Sequence, residues 1–141
     1  MKQSFWTAFG KYMSPVPDAE GEKINWINYK TGIKHIFFRM DAGNNSASIA
    51  IIISHPGITE RHLCYEEFEA MHKVLEESLG EKWNWQADVY DESGKQVSSI
   101  STTLEGVNIF KQETWPEIIS FLKPRIIALD SFWQMAKFRF E

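Results

Sequence analysis

A phosphodiesterase of the restriction type places an Asp on one strand and a Glu/Asp-x-Lys triplet on its neighbour. The carboxylates hold Mg²⁺ against the scissile phosphate while the lysine helps activate water. The order of elements in this chain, a helix and then strand pairs with a helix between them, invites that reading, and Pro17-Asp18 imitates the first half of the motif. The second half is absent. None of the eleven lysines has Asp or Glu two positions before it, and none of the five glutamines, a possible stand-in for the lysine, follows an acid at that spacing. No catalytic residue is assigned.

Other reaction classes fail on residue type or spacing. There is no Gly-x-x-x-x-Gly-Lys-Ser/Thr loop to cradle phosphate and no Gly-x-Ser-x-Gly elbow to present a nucleophile. Cys64 falls on the apolar stripe of an expected helix, where a buried thiol is unreactive. His62 and Glu66, four residues apart, could give zinc two ligands, but no third is spaced to join them; a surface helical pair is the expectation. His35 and His55 are expected near one sheet edge, and without a carboxylate they read as polar surface. No metal or cofactor is expected.

The elements that would position these residues can be read from apolar spacing. A first helix runs from Gln3 to about Met13, capped by Ser4, with Phe5 and Phe9 at helical spacing. Residues 24–32 match no period. Ile33 to Asp41 and Ala47 to Ser54 form a β-hairpin. Setting Ala42 against Ala47 brings Met40 opposite Ile49, Phe38 opposite Ile51 and Ile36 opposite Ile53 on one wholly apolar face, whereas a one-residue slip mixes the faces. Thr59 opens one long helix with Cys64, Phe68, Met71, Leu75 and Leu79 as its buried stripe and Gly80 as its stop. Trp83 to Asp91 and Gln96 to Leu104 form a second hairpin around a two-residue Ser93-Gly94 turn, which puts Asp88 opposite Ser99 and Tyr90 opposite Val97. Thr114-Trp115-Pro116-Glu117 reads as a capping box before a last helix that continues through Pro124.

The resulting fold class is α+β: one domain over residues 1–141 in α-ββ-α-ββ-α order, with a mainly antiparallel sheet and helices packed on one face. With 43% apolar and 14% aromatic residues, the chain can fill one core without disulfides. The single cysteine and the absence of an apolar leader or a membrane-length run point to the cytoplasm. A net charge of −4 disfavours a duplex-wide phosphate footprint. It leaves Lys123, Arg125, Lys137 and Arg139 near the C-terminus as the alternative nucleic-acid contacts.

The binding candidates lie on the second face of the sheet. His35, Arg39, Asp41, Asp88 and Tyr90 are expected to share it with Phe37, Ile52 and a Ser/Thr row, and Trp26 is a candidate aromatic anchor. Arg and Tyr are favoured interface anchors, so such a face suits a protein partner or a second copy of the chain.

Phe5-Trp6-x-x-Phe9, Asn25-Trp26 with Tyr29 and Gly32, Gly80-Glu81-x-x-x-Trp85 and Trp115-Pro116-x-Ile118 carry a resemblance that spans nearly the whole chain. By these motifs the chain resembles the uncharacterised bacterial domain of unknown function DUF4268. The resemblance implies a link to DNA-defence chemistry, because the domain often follows a nuclease-like domain in longer chains. It supplies no catalytic residues. The expectation is a non-enzymatic binding module; the alternatives are a nucleic-acid-binding accessory of a defence nuclease and an enzyme with an unrecognised site.

Overall fold

A computed structural model describes residues 1–141. The chain folds as α1 (Lys2–Met13), β1 (Ile36–Ala42), β2 (Ser46–Ile53), α2 (Ile58–Ala70), α3 (His72–Leu79), β3 (Asn84–Tyr90), β4 (Gln96–Glu105) and α4 (Trp115–Ala136). The four strands make one antiparallel sheet in the order β1-β2-β4-β3. Helices α2 and α4 cover one face of it, and α1 and α3 pack on α4. The α+β fold and its layer arrangement are those expected from the sequence.

The first hairpin has the expected register, Ile36 opposite Ile53 through Ala42 opposite Ala47. Side-chain alternation explains it: this pairing sends Ile36, Phe38, Ile49, Ile51 and Ile53 together into the core, where all are buried. β1 begins at Ile36 and not at Ile33; the preceding residues turn, and Ile36 N–H donates to Ile33 C=O at 3.3 Å. Residues 24–32 contain no strand.

The second hairpin departs from the expected register. Asp91 N–H donates to Lys95 C=O, and the Asp91 carboxylate accepts from the backbone N–H of Ser93 and Lys95, closing a five-residue loop where a two-residue turn was expected. Gly94 supplies the left-handed position at φ 84°. Val89 therefore faces Val97 and Tyr90 faces Gln96, and an irregularity between Gln86 and Val89 resets the pairing to Trp85 with Ile100. The side chains at 88–90 are displaced by one position from the expected faces.

Three further expectations are corrected. The long middle helix is two helices, because Met71 leaves helical geometry (φ −106°, ψ 19°) while staying buried; the apolar spacing is the same on both sides of it, so periodicity carries no sign of the break. Met1, not Ser4, is the N-cap of α1, and it makes no side-chain bond there. Thr114 precedes α4 but its hydroxyl bonds Asn108 and Lys111, so no capping box forms. Gly80 ends α3 in the left-handed conformation, and Pro124 lies inside the 22-residue α4, both as expected. No helix is long and apolar enough to cross a membrane.

Candidate binding face

Because adjacent residues on a strand point to opposite faces, the register fixes what the uncovered face displays. Crossing the sheet from β1 to β3, its rows are Phe37–Ile52–Ser99–Gln86 and Arg39–Ala50–Ser101–Asn84, with Asp41, Ser48 and Thr103 beyond. No helix packs against this face. Phe37 is 39% exposed, and the Arg39 guanidinium lies 4.7 Å from the centre of its ring. A cleft of about 1040 Å³ runs from β1 across Ile52 and Val97 to the β3–β4 loop, with His35, Arg39, Asp41 and Tyr90 among its lining residues. Tyr90 is 73% exposed at the rim.

Three of the expected face residues, Arg39, Asp41 and His35, are thus brought together; Tyr90 touches the cleft only at its rim, because its pairing with Gln96, whose side chain meets Arg61 of α2, sets it on the helix side of the pleat. Asp88 does not join them. Its carboxylate turns under the sheet to α2, 2.8 Å from Arg61 Nη2 and 2.9 Å from His62 Nε2, because the bulge moves it one position across the pleat. His62 and Arg61 together hold the Asp88 carboxyl below its ordinary pKa. His62 accordingly pairs with Asp88 and not with Glu66.

Trp26 is also corrected: it is 2% exposed, and its indole N–H donates to Val16 C=O at 2.8 Å, so it is a core residue and not a surface anchor. His35 and His55 do meet, with ring centroids 4.9 Å apart. His35 sits at φ 71°, the single non-glycine residue in the left-handed region, a backbone choice costing about 1 kcal/mol. Burial, and then the charge of His35, push the pKa of His55 down, and its Nδ1 has no partner.

The four C-terminal cations do not form one free patch. Arg125 makes a two-pronged ion pair with Glu81 and donates to Phe121 C=O; Arg139 pairs with Glu67. Lys123 lies over the Tyr12 ring, and the Lys137 ammonium lies against Gly32.

Two polar constellations escaped the sequence reading. Arg61, 2% exposed, donates to Ala87 C=O, Ser98 Oγ, Asp88 and Gln96 and so ties α2 to the bulge. Asp130, 1% exposed on α4, accepts from Ala19 N–H and the Tyr29 hydroxyl beside a cavity of about 420 Å³. Burial and Asp130 raise the Tyr29 pKa. Arg61 stands four and seven residues before Tyr65 and Phe68, a spacing that puts it on their stripe; Asp130 similarly follows Ile126 on α4. No group of three or more His, Cys, Asp or Glu side chains converges to hold a metal ion.

A family model described as Domain of unknown function (DUF4268) matches residues 1–137. No curated protein and no solved structure matches the chain.

Proposed function

The chain belongs to the DUF4268 family over residues 1–137, a family whose description assigns no reaction, and from that premise we propose that it is a non-enzymatic binding module. It acts in the cytoplasm and docks a protein partner, or a second copy of itself, on the uncovered face of its sheet. One observation carries the reading: helices cover one face only, and the other presents a cleft with an exposed Phe37, a guanidinium stacked on that ring, and an exposed Tyr90 at the rim. Aromatic and Arg side chains in a concave patch with a hydroxyl-rich surround are the composition of an interface centre.

The test is capture of partners by the tagged chain, compared with Arg39→Glu and Tyr90→Ala variants. Both substitutions are expected to abolish the association while leaving the melting temperature nearly unchanged, since both side chains are exposed. Retention of every association by both variants overturns the reading. The alternative, an accessory that grips nucleic acid through Lys123, Arg125, Lys137 and Arg139, requires salt-sensitive retention of DNA or RNA by the isolated chain. It is weakened by the ion pairs that already engage Arg125 and Arg139.

A further inference from the structure

Two charged side chains are buried in this molecule, and their surroundings differ. Arg61 meets the carboxylate of Asp88. Asp130, 1% exposed, is in no ion pair. Its donors are all neutral: Ala19 N–H meets Oδ2 at 2.8 Å, while the Tyr29 hydroxyl and the Gln134 amide meet Oδ1. A carboxylate has about four lone-pair sites, so one on Oδ2 is unused. Taking an anion out of water without a counter-charge is costly, which makes the space beside Asp130 informative.

That space is the cavity of about 420 Å³ between residues 18–30 and α4. Small-ligand pockets span about 300 to 1,000 Å³. Asp18 stands on its wall. Its Oδ1 accepts from the N–H groups of Glu20 and Glu22, which fixes the side chain, and its Oδ2 accepts from nothing. Burial and the bond to Asp130 raise the Tyr29 pKa, and the charges of Asp130 and Asp18 add to the rise, so both carboxylates lie close to one hydroxyl. Because Gln134 and Tyr29 direct their donors to Asp130, Gln134 Oε1 and the phenol oxygen keep acceptor capacity.

Lys30 is the only cation on the lining, and it is exposed and in no ion pair. Two carboxylates against one ammonium leave the cavity net negative. A metal ion finds too few ligands, since no third His, Cys, Asp or Glu converges here. The acceptors suit a planar cation with several N–H donors. Guanidinium is more weakly hydrated than ammonium and is favoured for buried pairing with carboxylates.

We propose that this cavity binds a guanidinium group, seated between Asp130 and Asp18, with Tyr29 and Gln134 as further acceptors and the alkyl stem along Ile24. A small free guanidine and the arginine side chain of a partner offer the same chemistry. The site goes beyond the open-face reading and is separate from it. Tyr29 borders both hollows, but Asp18, Lys30, Asp130 and Gln134 are not on the lining of the cleft.

Titration of the full chain with butylguanidine and with the peptide acetyl-Gly-Arg-Gly-amide tests it, read from the side-chain amide signals of Asn28 and Gln134 in nuclear magnetic resonance. Saturable shifts are expected below about 10 mM. Binding of butylguanidine alone identifies a free small molecule as the source, and tighter binding of the peptide identifies a partner's arginine; either result supports the site. Butylamine is expected to bind about tenfold more weakly, and butanol not at all. Asp18→Asn keeps the oxygen that serves Glu20 and Glu22 and is expected to weaken binding about tenfold. Asp130→Asn is expected to weaken it about a hundredfold, with circular dichroism to establish that the variant folds; if it does not fold, Asp18→Asn decides. Arg39→Glu is expected to leave guanidine binding intact. Absence of saturable shifts with both probes up to about 10 mM, equal binding of butylamine or butanol, or indifference to Asp18→Asn overturns the site. None of these results bears on the open face.

Discussion

Arg61 carries a full charge into the interior, and its exposure of 2% makes it depend on what it donates to. Four acceptors meet it: Ala87 C=O, Ser98 Oγ, Asp88 and Gln96. Removing the guanidinium leaves several of these without a donor, so Arg61→Ala is expected to destabilise the chain by about 3 kcal/mol in urea titration followed by tryptophan fluorescence. Cys64 illustrates the opposite effect of burial. Partial burial pushes its thiol up to about 12, with Glu67 adding to the shift. At pH 8 the thiolate population falls about a thousandfold below that of an ordinary cysteine. Iodoacetamide is expected to label Cys64 at the normal rate only after denaturant is added; rapid labelling of the native chain would contradict the burial described.

The end of the first hairpin is where pH enters. Burial and the neighbouring His35 lower the His55 pKa, with Arg61 and Lys95 acting in the same direction and Glu60 against them. A histidine that binds its proton less readily when folded contributes full stability above its unfolded pKa of about 6.5, and that stability is lost as pH falls below it. Asp88 and Glu81 are held below their ordinary values by their partners, so their contributions disappear only in more acidic solution, below about pH 4. The lowered His55 pKa thus predicts a fall in stability as the pH drops from about 6.5 toward 5. Denaturation midpoints measured across that window are expected to flatten in His55→Gln, and an unchanged slope would remove His55 as the cause. The second hairpin owes its irregular geometry to its loop: Asp91 gathers the backbone N–H groups of Ser93 and Lys95, and that loop length sets the pairing of Val89 and Tyr90.

At the scale of the whole molecule, residues far apart in the chain share one core. Phe5 and Phe9 of α1, Ile49 and Ile51 of β2, Phe68 of α2 and Leu122, Ile126 and Trp133 of α4 are all buried in a single cluster. One core in 141 residues implies one cooperative transition. Fluorescence and far-ultraviolet circular dichroism are expected to give the same denaturation midpoint, and Phe9→Ala to lower both midpoints together, with a loss of about 3 kcal/mol in unfolding free energy. Separate midpoints would mean that α1 docks on an independently stable remainder. The covering of only one sheet face follows from the same arrangement, since α1 buries its Phe5 and Phe9 near α4 and Trp115 and does not roof the second face.

The sequence by itself determined the element order, the α+β class and the register of the first hairpin, because alternation of Ile and Phe allows one pairing that buries them all. It also placed Arg39 and Asp41 on the face away from the helices. Tertiary structure alone decided the fates of Asp88, Trp26 and the C-terminal cations. A carboxylate that one bulge carries across the pleat, an indole whose partner is a carbonyl ten residues away, and guanidinium groups that meet Glu67 and Glu81 all depend on long-range geometry. Local apolar spacing records which face a residue prefers; it holds no information about which distant polar group will be waiting there.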